Sequence, residues 1–168
     1  MTVWFISDTH WGDHRTINIH RRPFGSVAEM DAALVANWNA VVAPEDTVWH
    51  LGDVARRPSD VPALLAALNG SKHLLRGNND PPGTGAASGW ASVADYAELD
   101  LDGRFVVLGH YPFRSWNRQA KGAIDLHGHS HGRLKPMPRQ FDVGVDARGF
   151  GPVTLAMLLN PVPPLRPA

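Results

Sequence analysis

The sequence predicts an α/β fold in which two stacked β-sheets are flanked by helices. Three observations lead there. Short apolar runs bounded by turn residues recur along the 168-residue chain, as buried strands do. Helical periodicity separates the early runs, so the order begins strand, helix, strand, helix, strand. The later runs lack long helical stretches between them, as hairpin-connected strands of a second sheet would.

In chain order, the first strand is Val3–Ser7. A helix follows, because Ser26 and Glu29 have capping-box spacing and Val27, Met30, Leu34, Trp38 and Val41 fall on one helical face. After the strand Thr47–Leu51, a second helix is expected from about Ser59, as N-cap, to Asn69, with Gly70 as its stop. The next strand is His73–Leu75. The run from Pro81 to Gly89, PPGTGAASG, reads as a flexible loop at the rim of a site. Phe105–Leu108, Ile124–Leu126, Phe141–Val145 and Val153–Leu158 complete the strands. Residues 1–159 are expected to form one domain, and 160–168, with prolines at 161, 163, 164 and 167, an extended tail.

Composition narrows the function classes. With 43% apolar and 19% charged residues the chain is ordinary for a globular protein, and it can bury roughly 70% of its unfolded surface. Lys plus Arg and Asp plus Glu both number 16, so no overall field favours nucleic acid or a membrane surface. Cysteine is absent, which excludes disulfides, thiolate zinc sites and cysteine nucleophiles. No basic region precedes the apolar run Val3–Ile6, and no apolar stretch approaches the ~20 residues of a membrane span. The expectation is a soluble, cytoplasmic protein. Nine histidines are the unusual feature, since neutral imidazole is a common metal ligand.

Position makes those histidines informative. Asp8-Thr9-His10 follows the first strand, Gly52-Asp53 the second, Gly77-Asn78-Asn79-Asp80 the third, Gly109-His110 the next, and His127-Gly128-His129-Ser130-His131 the one after. Ligand sites in open α/β sheets assemble at carboxyl ends of strands. Residues two apart on an extended segment project to one side, so Asp8 with His10, and His129 with His131, can grip one ion. Singly, each residue reads equally well as a turn residue or an exposed histidine; delivered in order by successive strands, they read as a site. Oxygen and nitrogen donors favour manganese, iron, zinc or nickel. The set exceeds what one such ion takes, and two ions sharing a carboxylate about 3.5–4 Å apart fit better.

The order D-x-H, G-D, G-N, H, G-H-x-H resembles the calcineurin-like metallophosphoesterase superfamily from Ser7 to about Val145. The surrounding words FISDTHWG, RRPF, VWHLGD, RGNND, HYPFRSW and HGHSHG are similar to its small bacterial and phage branch. The resemblance implies a four-layer α/β/β/α sandwich and two divalent transition-metal ions, manganese foremost. Asp8, His10 and His131 would hold the first, Asn78, His110 and His129 the second, with Asp53 bridging. It implies hydrolysis of small phosphoesters by a metal-bridging hydroxide, as a phosphodiesterase or phosphatase, with a nucleotide among the candidate substrates. Neither membrane nor nucleic-acid partners are implied, and a homodimer stays open.

One position departs from the pattern. Many members carry histidine after G-N, where it helps the leaving group; Asn79 stands there, able to donate a hydrogen bond but not a proton. His14 is the candidate replacement acid, with Asp13 and Arg22 also near that loop. Arg22, Arg57, Arg76 and Arg114 flank site segments and are candidate phosphate contacts. His50 and His127 read equally as supports of a ligand or as packed residues, and His20 and His73 as surface residues. Trp11 and Trp116 follow ligand segments and could stack on a base. The alternatives are a catalytically weak binding module and a closed structural metal site. A metallo-β-lactamase-like hydrolase would need an H-x-H-x-D-H run, which HGHSHG does not supply.

Overall fold

The structure is a computed structural model and describes residues 1–160; the proline-rich tail expected at 160–168 lies, past Asn160, outside the described residues. One sheet has the order β4-β3-β2-β1-β9. Its strands are β1 (Val3–Ile6), β2 (Thr47–His50), β3 (Ser71–Leu75), β4 (Trp90–Ala94) and β9 (Val153–Thr154). The first four run parallel, with Val3 opposite Thr47 and Thr47 opposite Ser71, while β9 is antiparallel to β1. The second sheet, ordered β5-β6-β7-β8, comprises β5 (Tyr96–Leu101), β6 (Arg104–Gly109), β7 (Ile124–His127) and β8 (Gln140–Asp142).

Covering both faces of the first sheet explains why its strands are continuously apolar. On its outer face Ile6, Val48 and Leu74 meet Met30, Leu34 and Trp38 of α2 (Val27–Val41) and Val61 and Leu65 of α3 (Val61–Ala67). Between the sheets, Phe5, Leu51 and Leu75 pack against Val106, Leu108, Ile124 and Leu126. Leu155 and Leu158 of α5 (Leu155–Leu159) close that core. The far face of the second sheet is covered thinly, by Trp116 with Phe105, Phe113 and Met137 around Val107 and Ala123, and the segment that carries Trp116 continues into a 3-10 turn at Gln119–Lys121. The arrangement is the expected α/β/β/α sandwich of two mixed sheets, with the fourth layer the slightest. Among the described residues no helix is long and apolar enough to cross a membrane.

Several elements differ from the sequence expectation. β5 and β6 form a hairpin, but β6, β7 and β8 are mutually parallel rather than hairpin-connected. The segment 110–123 is long enough to make the crossover that parallel pairing needs. β4 and β5 were not expected, because their exposed faces interrupt the apolar signal; YAELDL alternates and gains its order from pairing with β6. Val153–Leu158 divides into a two-residue strand and α5, where the Thr154 hydroxyl caps the helix by accepting from the Met157 N–H. Pro81–Gly89 is not simply a loop: it contains α4 (Pro82–Ala86) with Thr84 buried.

The Ser26 cap is as expected, with its hydroxyl accepting from the Glu29 N–H at 3.1 Å, although Glu29 reaches back to Gly25. Val41 is exposed and Val42 takes its place in the core. Ser59 does not cap the next helix; a 3-10 turn at Pro58–Asp60 leads into it. A further short helix, α1 (His14–Ile19), stands between the first ligand segment and α2. Its N-cap is Asp13, which accepts from the Arg15 N–H at 3.0 Å and pairs with the Arg15 guanidinium. The hydrogen bonds from Arg15 take the Asp13 carboxyl from the usual 3.8 to about 2. A depressed carboxylate stabilises above its unfolded pKa and ceases to as pH falls through its folded one. Asp13→Ala should therefore cost about 1 kcal/mol at neutral pH. In denaturant titrations the difference from wild type should shrink between the usual carboxylate range and about pH 2.

Candidate metal centre

Parallel pairing carries β1, β2 and β3 to a common edge, and backbone hydrogen bonds continue past the strand ends. The Asp8 N–H donates to Gly52 O and the His10 N–H to Asp53 O, each at 3.0 Å, so the first two ligand segments travel side by side. From the other sheet, the Gly128 N–H donates to His110 O at 3.0 Å, and the His129 N–H donates to the Asp8 carboxylate at 2.9 Å. Residues separated by more than 120 positions are thus locked together through backbone groups.

Convergence works differently from the extended geometry expected of D-x-H and H-x-H. Asp8, His10, Asp53, His129 and His131 all have left-handed backbone, with φ of 59°, 51°, 58°, 65° and 49°. Non-glycine residues there carry a conformational cost, and such residues gather at functional sites. Each such residue turns the chain where an extended strand would have continued, so the donors are presented from turns at the strand ends. Close approach also needs glycine: a Cβ on Gly52 would lie 2.7 Å from His110 Nδ1, and one on Gly128 2.8 Å from Asp8 Oδ2.

Two groups of donor atoms result, Asp8 with His10 and His131, and Asp8 with Asp53 and His110; within each, donors lie within 4.8 Å of one another. Asp8 is common to both. Asp53, which the resemblance puts in the bridging position, points Oδ2 at His10 Nε2 (3.5 Å) and Oδ1 at His110 Nε2 (3.6 Å). Asn78 Oδ1 lies 2.9 Å from both His110 Nε2 and His129 Nδ1.

The chemistry of these groups suits cations. His10 Nε2 is buried without a hydrogen-bond partner, and burial pushes its ring down to about 4, so it carries a lone pair at neutral pH. His110 Nδ1 lies 2.7 Å from the Leu51 carbonyl, which can only accept. In the neutral ring that leaves Nε2 as a lone pair facing the Asn78 oxygen, an arrangement a cation would satisfy. Burial, aided by the charges of Asp53 and Asp142, raises the Asp8 carboxyl well above the usual range. A nearby positive ion would reverse that penalty.

Supporting residues hold the donors in place, and several escaped the sequence reading. Asp146 accepts from His131 Nδ1 at 2.7 Å. Burial opposes its ionisation, but hydrogen bonds from His131 and Arg22 outweigh burial and hold it at about 2. The ionised carboxylate fixes the His131 tautomer and turns Nε2 toward the site. Asp80 accepts from the N–H groups of Asp53, Val54 and Gly77 at 2.8–2.9 Å, pinning two ligand loops. His50 accepts from the Gly52 N–H through Nδ1, so its Nε2 donates to Thr9 Oγ1 at 2.9 Å, which in turn donates to Val54 O. His50 is therefore a buried support, pushed down to about 3 by burial. Asp146 carries the same signal as the ligands, a polar residue directly after an apolar run, here Phe141–Val145.

Other expectations change with the geometry. Arg22 does not face a ligand: its side chain is 0% exposed, and its nitrogens donate to Asp8 O, Thr9 O, both Asp146 oxygens and the Met30 sulfur. It braces the first ligand loop. Arg57 is exposed and paired with Asp60, and Arg114 is exposed on the segment after His110. His14 is exposed at the start of α1. Asn79 donates from its backbone and its amide to the two Asp53 oxygens, at 2.8 and 2.7 Å, and so orients that carboxylate. His20 is not a free surface residue: its ring stacks on His131 at 3.6 Å, and His10 lies 5.5 Å from His131 and 6.5 Å from His20. His127 is buried, with Nδ1 on Gly128 O. Trp11 and Trp116 are buried and offer no face to a base.

Removing the Asp146 anchor should loosen His131. Asp146→Asn is expected to weaken manganese binding by about 10–100-fold, the usual range for such supports. Calorimetric titration measures this, and a thermal melt of the same sample separates it from unfolding.

The sequence profile of the calcineurin-like phosphoesterase superfamily domain matches residues 1–144. An uncharacterised protein of Methanocaldococcus jannaschii is 30% identical over 168 residues, covering 94% of this chain and 89% of its own. The Gene 66 protein of Mycobacterium phage D29 is 33% identical, covering 86% of this chain and 88% of its own. Among solved structures, a protein of unknown function from Aquifex aeolicus superposes with a TM-score of 0.75 at 22% identity, over 93% of this chain and 96% of its own.

Proposed function

Since the chain belongs to the calcineurin-like phosphoesterase superfamily, we propose that it hydrolyses small phosphoesters, phosphodiesters foremost, with two divalent metal ions. The observation that carries this reading is the pair of donor groups sharing the Asp8 carboxylate, with His10 Nε2 of the first group buried and without a hydrogen-bond partner among the described residues. Asp8, His10 and His131 would hold one ion, and Asn78, His110 and His129 the other, with Asp53 between. When bound, such ions neutralise charge on phosphoryl oxygens and supply an activated water. Manganese suits the donors, with iron, zinc or nickel as alternatives.

The chain's own residues do the rest. Asp146 and the Leu51 carbonyl hold His131 and His110 with Nε2 inward, so the donors are set before substrate arrives. Asn79 keeps Asp53 in place through two hydrogen bonds. It supplies no proton to a departing alkoxide, and His14 is the remaining candidate for that task. Arg114, exposed on the segment after His110 and without an ion pair among the described residues, is the guanidinium we assign to substrate phosphate.

The reading is tested by a screen of aryl, alkyl and cyclic phosphoesters. Hydrolysis should vanish with chelator, return with manganese, and fall by orders of magnitude in Asp53→Asn while the thermal melt stays cooperative. Retained hydrolysis in chelator would overturn the metal requirement, and no hydrolysis with any divalent metal would favour a binding module instead.

A second expectation concerns the leaving group. General acid help is worth about 100- to 10,000-fold, so without it aryl esters should far outpace alkyl esters. A steep dependence of rate on leaving-group pKa is expected in the wild type, flattened in Asn79→His. A shallow wild-type slope that steepens in His14→Ala would assign the proton to His14.

A further inference from the structure

Beside the donor cluster a cleft of about 470 Å³ opens between the loops after β3 and β6, lined by Arg76, Asn78, Asp95, His110, Tyr111 and Phe113. Asn78 and His110 belong to both cleft and centre, so a substrate whose phosphoryl group lies at the centre extends into this space. Its size falls within the usual range of small-molecule sites. We propose that the cleft is a subsite for a nucleobase, the esterified group of the substrate being a nucleoside. This inference rests on the phosphoester reading for where the phosphoryl group lies, and on the cleft itself for what lies next to it.

Tyr111 forms one wall. It is 51% exposed, an unusual state for an aromatic ring at the mouth of a site, and its position is set by contact with two proposed ligands. Its centroid lies 4.6 Å from His129 and 5.2 Å from His110, and the half of the side chain left exposed lines the cleft. Phe113 continues the wall, edge-on to Tyr96 at 5.8 Å. Gly109 allows this approach, since a Cβ there would meet the Phe113 ring at 2.7 Å.

The other wall is polar and planar. Arg76 donates from Nε and Nη2 to the two Asp95 oxygens, each at 2.8 Å, and its Nη1 makes no hydrogen bond among the described residues. An exposed pair of this kind contributes little to stability, but it holds a guanidinium fork and carboxylate lone pairs in one fixed arrangement. A nucleobase has a π-face for the aromatic wall and an edge of donors and acceptors for the polar one. An alkyl group would leave the ion pair unused. A second phosphate would meet the Asp95 and Asp80 carboxylates as well as Arg76.

The test compares the phosphonate analogues of adenosine 5′-monophosphate and ribose 5-phosphate, in which a methylene replaces the ester oxygen and nothing can be hydrolysed. Titration calorimetry on the manganese-loaded protein should show the adenosine compound binding about 5- to 150-fold more tightly, the range for a base on an aromatic ring. Tyr111→Ala should bring that ratio toward one with the ribose compound little affected, and Tyr111→Phe should keep it. Arg76→Ala should narrow the ratio with the Tyr111 ring intact. Equal affinities in the wild type, an unchanged ratio in both Tyr111→Ala and Arg76→Ala, or equal weakening of both ligands by Tyr111→Ala would overturn the subsite. Base-selective binding by a protein that hydrolyses no ester would keep the subsite and overturn the hydrolytic reading. Hydrolysis with equal kcat/KM for base-bearing and base-free esters would do the reverse.

Discussion

Two buried carboxylates, Asp8 and Asp53, stand close enough for the charge of Asp53 to oppose ionisation of Asp8, and the surrounding structure is organised around holding them there. Neither could be placed so by hydrophobic packing alone, because an isolated buried carboxylate costs several kcal/mol. Backbone N–H groups compensate in part: that of His129 on Asp8 and that of Asn79 on Asp53. The imidazoles of His10 and His110 face the two oxygens of Asp53. What remains is an excess of lone pairs in a small volume, the electrostatic condition for taking up a divalent ion.

Holding that arrangement requires rigidity beyond the donors. Arg22 ties Asp8 and Thr9 carbonyls to Asp146, and Asp146 ties His131, so one buried guanidinium couples the loop after β1 to the segment after β8. Asp80 performs the corresponding task for the loops after β2 and β3. The left-handed conformations at Asp8, His10, Asp53, His129 and His131 persist because these anchors over-determine them. Conformational cost at the centre is therefore offset by hydrogen bonding around it.

Legibility in the sequence varied with how local the cause was. The α2 cap and buried face are set within a few residues, so Ser26, Met30, Leu34 and Trp38 read correctly. β5 alternates polar and apolar residues and owes its existence to a partner strand, and it was missed. The donor residues stood out because each follows an apolar strand. Their supports did not: Asp146 and Asp80 look like ordinary loop acids until the residues they bond are known. Arg22 shows the opposite error, since an arginine near a phosphate-binding loop invites a ligand role, and only burial reveals that its donors are all engaged within the protein.

Residue type and order alone determined the family, the two-sheet architecture and the set of groups with metal-ligand chemistry, because those depend on strand periodicity and on which side chains can donate lone pairs. Tertiary structure decided how the groups meet. The backbone turns left-handed at the donors instead of running extended, Asp8 joins both donor groups, His20 stacks on His131, and Tyr111 rather than either tryptophan presents an open ring at the site. These outcomes depend on contacts between residues far apart in the chain, such as Asp8 with His129 and Arg22 with Asp146. No local pattern encodes such contacts, because they arise only after the two sheets have stacked and brought their strand ends to one edge.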